Sequence, residues 1–151
     1  MSTFQLSFKT KLGVISVRES EGCITDINFR KVTKQKKSSE LLKAEKEIKQ
    51  FLNKKIKKFT FRSKTVGTET QLKVWNEIKK ISYAKTVSYN FISKKTKIHP
   101  RHVGRICSQN KLLFFIPCHR VIRCDGLLGG FSANGGVKLK NKILKFEKLN
   151  K

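Results

Sequence analysis

The chain has 151 residues, 38% of them hydrophobic, and a formal net charge of +25. The hydrophobic fraction excludes a disordered chain. No apolar segment of the sequence approaches the roughly 18 residues that cross a bilayer, and we expect no membrane partner. The charge favours a polyanionic partner, through phosphate contacts and the release of counterions. Residues 70–151 carry 18 Lys and Arg against 3 Asp and Glu, whereas a general lysine bias explains much of the excess in residues 1–69.

The first third of the chain is predicted to form a small β-sheet with one helix. Three segments have the apolar alternation or β-branched content of strands, with turns at glycine between them: 4–8, 14–17 and 23–29. Ser38 or Ser39 can cap a helix whose apolar side chains recur at helical spacing, at Leu41, Ala44, Ile48 and Phe51. Residues 59–61 are predicted as one more strand. We assign residues 1–62 to this first domain.

A polar linker, residues 63–69, is predicted to lead into a helical domain at residues 70–151. Thr68 and Gln71 have the spacing of a capping box ahead of a helix with a buried face. A glycine-rich loop ends near residue 136, and the last helix covers about residues 137–149. The two domains together predict an α+β protein.

The middle of the second domain predicts two short helices joined by a turn. One begins near Ser88, and the next begins with Pro100, because the first helical position needs no N–H. Apolar residues of the second helix face inward, and its outer face carries Arg101, Arg105 and Ser108. This arrangement is typical of a helix-turn-helix, although many helical domains would match it.

Cysteine usage predicts free thiols in a reducing compartment. The four cysteines form no C-x-x-C pair and no zinc-site spacing with histidine. The N-terminus has no basic region followed by an apolar run, so we expect no secretion signal and an intracellular protein, cytoplasmic if prokaryotic and nuclear if eukaryotic. The usual reading of one cysteine is a small buried hydrophobe.

One cysteine lies in a setting that suits a nucleophile. Cys118 follows the apolar residues 114–116 and Pro117, and it precedes His119 and Arg120. A neighbouring base or positive charge raises the fraction of thiolate, which is the nucleophilic form. The segment therefore predicts an activated thiol.

This segment and four others in the same order resemble the O6-alkylguanine-DNA alkyltransferase family. The hallmark Pro-Cys-His-Arg-Val is present at residues 117–121. The resemblance covers about residues 67–147, and the first 60 residues match only in general layout. The other matching segments are Gly67-Thr68-x-x-Gln71-x-x-Val74-Trp75, Thr86-x-Ser88-Tyr89, Arg101-x-Val103-Gly104 with Asn110, and Gly135-Gly136-x-x-x-Lys140-x-x-Ile143-Leu144-x-x-Glu147.

The resemblance implies a role for each catalytic position. Cys118 would accept the alkyl group, and His119 would deprotonate it through a water. Glu147 would orient His119, and Asn110 would hold the cysteine turn through backbone hydrogen bonds. Independently, Glu147 shares a helical face with apolar residues three and four positions earlier, where a carboxylate needs a partner.

The resemblance also implies how DNA is bound. The reacting atom lies inside the duplex, so the damaged guanine must be flipped out. Arg101 would replace it in the stack, Tyr89 would rotate the phosphate, and Gly104 would permit close approach in the minor groove. Lys85 and Arg105 are candidate phosphate contacts.

The pocket for the alkylguanine is implied at Tyr89, Val121, Phe131 and Ser132. The chain departs from the family pattern at four places: Phe131 where the family has tyrosine, two extra residues at Ala133-Asn134, His102 in place of a small residue, and Pro100 where alanine is frequent.

The function implied by the resemblance is DNA repair by a methylated-DNA–protein-cysteine methyltransferase that acts once per molecule, as a monomer without metal or organic cofactor. The implied fold has a ribonuclease H-like first domain and a winged-helix-like helix-turn-helix in the second. Two other functions are open: a protein that binds alkylated bases without transfer, and a helix-turn-helix regulator.

Overall fold

A computed structural model describes residues 3–130 and 136–151. The chain divides into two compact units, residues 1–66 and 67–151. The linker at residues 63–69 stays a prediction. Within the described part of the chain, no helix is both long enough and apolar enough to cross a membrane.

Unit 1 is a three-stranded antiparallel sheet with one helix packed on it. The strands β1 (Thr3–Thr10), β2 (Gly13–Ser20) and β3 (Cys23–Asn28) are adjacent in chain order, and α1 is Ser39–Leu52. Ser38 caps α1 by accepting a hydrogen bond from the Leu41 N–H at 3.2 Å. The three predicted strands and the helix are therefore confirmed. The core between sheet and helix consists of Leu6, Ile15, Val17, Ile24, Ile27, Leu41, Ala44 and Ile48.

The strand predicted at residues 59–61 is wrong. The carboxylate of Glu47 on α1 accepts the Thr60 N–H and hydroxyl, both at 2.6 Å, and the Phe61 N–H at 3.3 Å. Glu40 accepts the Arg62 N–H at 2.6 Å. Because two helix carboxylates satisfy these N–H groups, the segment forms no strand ladder there.

Unit 2 contains four helices and one short parallel strand pair among its described residues. The helices are α2 (Glu69–Ile78), α3 (Tyr89–Thr96), α4 (Pro100–Ser108) and α5 (Gly136–Leu149), with a 3-10 turn at Cys118–Arg120. Strand β4 (Val87–Ser88) pairs with β5 (Val121–Ile122) in parallel. This pair joins the start of α3 to the segment that follows the cysteine turn.

Side-chain caps mark where α2, α3 and α4 begin. Thr68 and Gln71 form both hydrogen bonds of the predicted capping box at the start of α2. Ser88 caps α3 by accepting the Phe91 N–H at 3.0 Å. His99 caps α4, because its Nδ1 accepts the Arg101 N–H at 3.1 Å. α3 and α4 pack against each other and form the two helices of a helix-turn-helix.

The amphipathic character predicted for α4 is confirmed. Val103 and Ile106 are fully buried, and Arg101, Arg105 and Ser108 are exposed. The indole of Trp75 on α2 donates a hydrogen bond to the Ile106 carbonyl at 3.2 Å. The inner face of α4 is thereby tied to α2, and its arginines point to solvent.

Candidate active site

Cys118 lies at the start of the 3-10 turn, with its side chain 3% exposed. The Nδ2 group of Asn110 donates to the Cys118 Sγ at 3.0 Å and to the Ile116 carbonyl at 2.8 Å. The Asn110 Oδ1 accepts the Leu112 N–H at 2.9 Å. Asn110 thus uses both ends of its amide to fix the thiol and the loop that leads to it.

His119 and Glu147 form a buried hydrogen-bonded pair. The Nε2 of His119 is 2.8 Å from the Glu147 Oε2, and the two side chains are 1% and 0% exposed. Arg120 donates to both oxygens of the same carboxylate, at 2.9 and 2.7 Å, and to the Ile81 carbonyl at 2.9 Å. The Ala84 N–H also donates to the Glu147 Oε1 at 3.3 Å, so the carboxylate has three partners, two of them adjacent residues of one turn. The sequence indicated that Glu147 needs a partner but not that Arg120 is one of them.

The charges in this cluster follow from its burial and hydrogen bonds. Burial alone would raise the pKa of Glu147, but the hydrogen bonds from His119 and Arg120 outweigh it and lower that pKa to about 2. Burial lowers the pKa of His119, although the bond to Glu147 opposes this shift. An ionised Glu147 beside a neutral His119 requires the proton on Nε2, which leaves the Nδ1 lone pair as the basic atom.

The burial of Cys118 disfavours the charged form of its side chain. Burial raises its pKa, and the Asn110 hydrogen bond and the Lys140 charge oppose this shift only in part. Arg120 directs its guanidinium to Glu147 rather than to the sulfur. The resting side chain is therefore a thiol, and forming the thiolate requires a base.

Lys140 is a buried cation whose position in the site the sequence did not reveal. Its Nζ donates to the Val121 carbonyl at 2.7 Å, to the Gly130 carbonyl at 3.3 Å and to the carbonyl of Leu128. The Tyr89 hydroxyl lies 3.4 Å from the same nitrogen. Burial lowers the pKa of Lys140, and the negative charge of a Cys118 thiolate would oppose that shift. The signal was present, because Lys140 falls on the buried stripe of α5, which consists of Leu139, Lys140, Ile143 and Glu147.

A cavity of about 530 Å³ opens beside Cys118. Gly129 lies on its wall with φ +73°, and a Cβ there would come within 2.9 Å of the Tyr89 hydroxyl. Only glycine suits that position, so the wall can lie close against Tyr89. Burial raises the pKa of Tyr89 to about 12, which keeps the phenol protonated. The lining residues are Tyr89, Asn90, Pro100, Arg101, Gly104, Cys107, Ser108, Cys118, Arg123, Cys124, Gly129 and Gly130.

Some of the residues identified as candidates in the sequence line the cavity, and others do not. Tyr89, Arg101 and Gly104 line it with Cys118. Val121 is fully buried and pairs with Val87 instead of lining the cavity. The side chains of two candidate phosphate ligands, Lys85 and Arg105, are exposed away from it. The pocket positions Phe131, Ser132 and Ala133-Asn134 lie outside the described residues.

Two cysteines that the sequence left without a role also line the cavity. Cys107 is buried on α4, and Cys124 is exposed. Burial raises the pKa of Cys107, and the neighbouring Cys118 adds to that shift. In residues 3–130 and 136–151, no three His, Cys, Asp or Glu side chains are grouped so that they could hold a metal ion.

Fold and site together define a class: a helix-turn-helix protein with a buried cysteine at a surface cavity and a hydrogen-bonded histidine–glutamate pair beside it. Residues 69–149 match the family model for the DNA binding domain of 6-O-methylguanine DNA methyltransferase, and the chain belongs to that family.

Curated relatives agree with this membership, and a solved structure shares the fold. A methylated-DNA–protein-cysteine methyltransferase of Sulfolobus acidocaldarius is 44% identical over 78 residues, which are 52% of this chain and 48% of that protein. One of Methanosarcina acetivorans is 29% identical over 150 residues, 93% of this chain and 95% of that protein. The chain spans about half the length of several other curated relatives it matches. The crystal structure of Mycobacterium tuberculosis OGT in complex with DNA shares the fold, with a TM-score of 0.87 and 23% identity over 97% of this chain and 93% of that one.

Proposed function

We propose that this protein repairs DNA by moving the alkyl group of an O6-alkylguanine onto the sulfur of Cys118, once per molecule. The observation that carries the proposal is the position of Cys118 at a cavity, hydrogen-bonded by Asn110, with the next residue, His119, in a buried hydrogen-bonded pair with Glu147. Relatives named methylated-DNA–protein-cysteine methyltransferases support the same reaction. DNA as substrate places this activity inside the cell, in the cytoplasm or the nucleus.

The buried cluster suits a general-base mechanism. Glu147 holds the Nε2–H of His119, so the Nδ1 lone pair takes the thiol proton of Cys118 through a water. The sulfur then attacks the alkyl carbon, an S–C bond forms, and the C–O bond breaks with its electron pair going to the guanine oxygen. The guanine leaves and gains a proton. The thioether is not readily reversed, so each molecule reacts once.

Transfer from duplex DNA requires the guanine to leave the stack. Arg101 is exposed at the edge of the cavity and suits the role of filling the vacated place. Tyr89 and Gly104 line the same cavity. Tyr89 would rotate the phosphate of the flipped nucleotide, and Gly104 would permit close approach to the minor groove. Lys85 and Arg105 would contact phosphates. We propose that a single copy of the chain binds the lesion.

Intact-protein mass spectrometry tests the proposal. Incubation with a duplex that contains one O6-methylguanine should add a single methyl group to each protein molecule, and the gain should be absent in Cys118→Ala. Cys124→Ala is the matched control, because that thiol lines the same cavity, and it should still gain the methyl group. An unchanged mass with tight lesion binding would favour a base-binding protein without transfer, and binding without preference for the lesion would favour a regulator.

A further inference from the structure

A groove in unit 1, remote in sequence from the cysteine turn, collects lysines from three segments. It consists of two adjoining depressions, of about 320 and 240 Å³, that share Lys49 and Asn53. Lys9 and Lys11 come from the β1–β2 turn region, Lys46 and Lys49 from α1, and Lys55 from the loop after α1. Its lining residues are Lys9, Thr10, Lys11, Leu42, Glu45, Lys46, Lys49, Gln50, Leu52, Asn53 and Lys55.

The groove is strongly positive. All five lysine side chains are exposed, and the lining contains a single carboxylate, Glu45, which pairs with Lys49 at 2.6 Å. The nearby carboxylate of Glu47 is buried and accepts the Thr60 N–H, so it does not belong to the lining of the groove. Lysines thus outnumber carboxylates in the lining of this groove, and an excess of positive charge favours a polyanionic ligand.

Helix stabilisation explains only part of this clustering. A lysine at the C-terminal end of a helix interacts favourably with the helix dipole, which accounts for Lys49 in the last turn of α1 and for Lys55 directly after it. Lys9 lies on β1, and Lys46 lies more than one turn before the end of α1, so the dipole does not account for these two lysines. Their position in the same groove as Lys49 and Lys55 suits a polyanionic ligand.

We propose that this groove, which we call the lysine groove, binds the phosphate backbone of DNA as a second contact in addition to unit 2. The choice of DNA rests on the proposed function, because DNA is the polyanion on which unit 2 would act. Five ammonium groups spread over two depressions match a row of phosphates rather than one phosphate ion. Lysine serves as a point charge for phosphate, so this contact carries no sequence preference.

The salt dependence of binding tests the lysine groove. The full chain is titrated with a lesion-free duplex over a series of salt concentrations, and the slope of log K against log salt is compared between two triple variants. The groove variant carries Lys9→Gln, Lys46→Gln and Lys55→Gln, one from each segment. The control carries Lys31→Gln, Lys34→Gln and Lys43→Gln, which are exposed lysines of unit 1 outside the groove.

The two variants remove the same charge, so a difference between them reports position. Each lost phosphate contact lowers the slope by about 0.9, so the groove variant should lose between about 2 and 3 while the control changes by less than 1. Equal changes in both variants would overturn the proposal. An unchanged slope in the groove variant would overturn it as well, because no phosphate contact would then have been lost.

Methyl transfer from free O6-methylguanine base separates this proposal from the proposed function. The free base has no phosphates, so the groove variant should react with it like the unchanged protein. Absence of transfer in every variant would refute the alkyltransferase proposal and leave the slope comparison as the test of the groove. A groove variant that unfolds at a lower temperature than the control would show a structural role and would contradict the proposal.

Discussion

Replacing Glu147 with glutamine should damage both stability and reaction. The side chain keeps its shape but loses the charge that faces His119 and Arg120, and its amide NH₂ would point at one of these donors. Removing one partner of a buried ion pair costs about 3 to 5 kcal/mol. The depression of the Glu147 pKa from 4.5 to about 2 corresponds to about 3 kcal/mol, in agreement with that range. For a chain of 151 residues, the melting temperature should fall by roughly 6 to 20 °C.

Thermal unfolding and methyl transfer are the assays for Glu147→Gln, with Glu77→Gln as control. Glu77 pairs with Lys80 at the surface of the same unit, so its loss should cost less than about 1 kcal/mol. Transfer should slow by about 10²-fold or more because His119 loses its orienting group. The stabilisation by Glu147 is complete above pH 4.5 and disappears as the pH falls through about 2, so the difference from the variant should shrink over that window. Equal destabilisation by the two substitutions would refute the reasoning.

Three further substitutions test separate parts of the site. Arg101→Ala should weaken repair of duplex DNA more than reaction with free O6-methylguanine base, and equal loss on both substrates would count against a role in base flipping. Lys85→Ala should lower DNA affinity and reduce the salt slope by about 0.9, so an unchanged slope would remove it from the phosphate contacts. Asn110→Ala removes the buried donor to the Ile116 carbonyl and the Cys118 sulfur. It should lower the free energy of unfolding by about 1 to 3 kcal/mol in chemical denaturation, and it should slow methyl transfer. If the free energy of unfolding and the transfer rate both equal those of the unchanged protein, Asn110 does not hold the thiol.

Local patterns predicted the elements of this fold because each pattern has a local physical cause. Thr68 and Gln71 cap α2 through groups three residues apart, and the alternation in β1–β3 follows from one buried face. The partner of Glu147 was partly predictable for the same reason, since its place on the buried stripe of α5 requires a hydrogen-bond partner.

Features that depend on distant residues were not predictable in this way. The alternation at residues 59–61 resembles a strand, but carboxylates of α1 satisfy its N–H groups. The pairing of β4 with β5 involves two residues on each side, which is too short for a pattern. The cation Lys140 lies one position from an apolar residue on α5, and only the fold shows that three carbonyls surround it.

The central claim, that Cys118 accepts the alkyl group, is tested most directly by locating the methyl group. After reaction with a duplex that contains O6-methylguanine in excess, the protein is digested and each cysteine peptide is analysed by tandem mass spectrometry. The account predicts S-methylcysteine at Cys118 alone, at one methyl group per molecule. Methylation at Cys107 or Cys124 in place of Cys118, or removal of several methyl groups from DNA by each protein molecule, would contradict it.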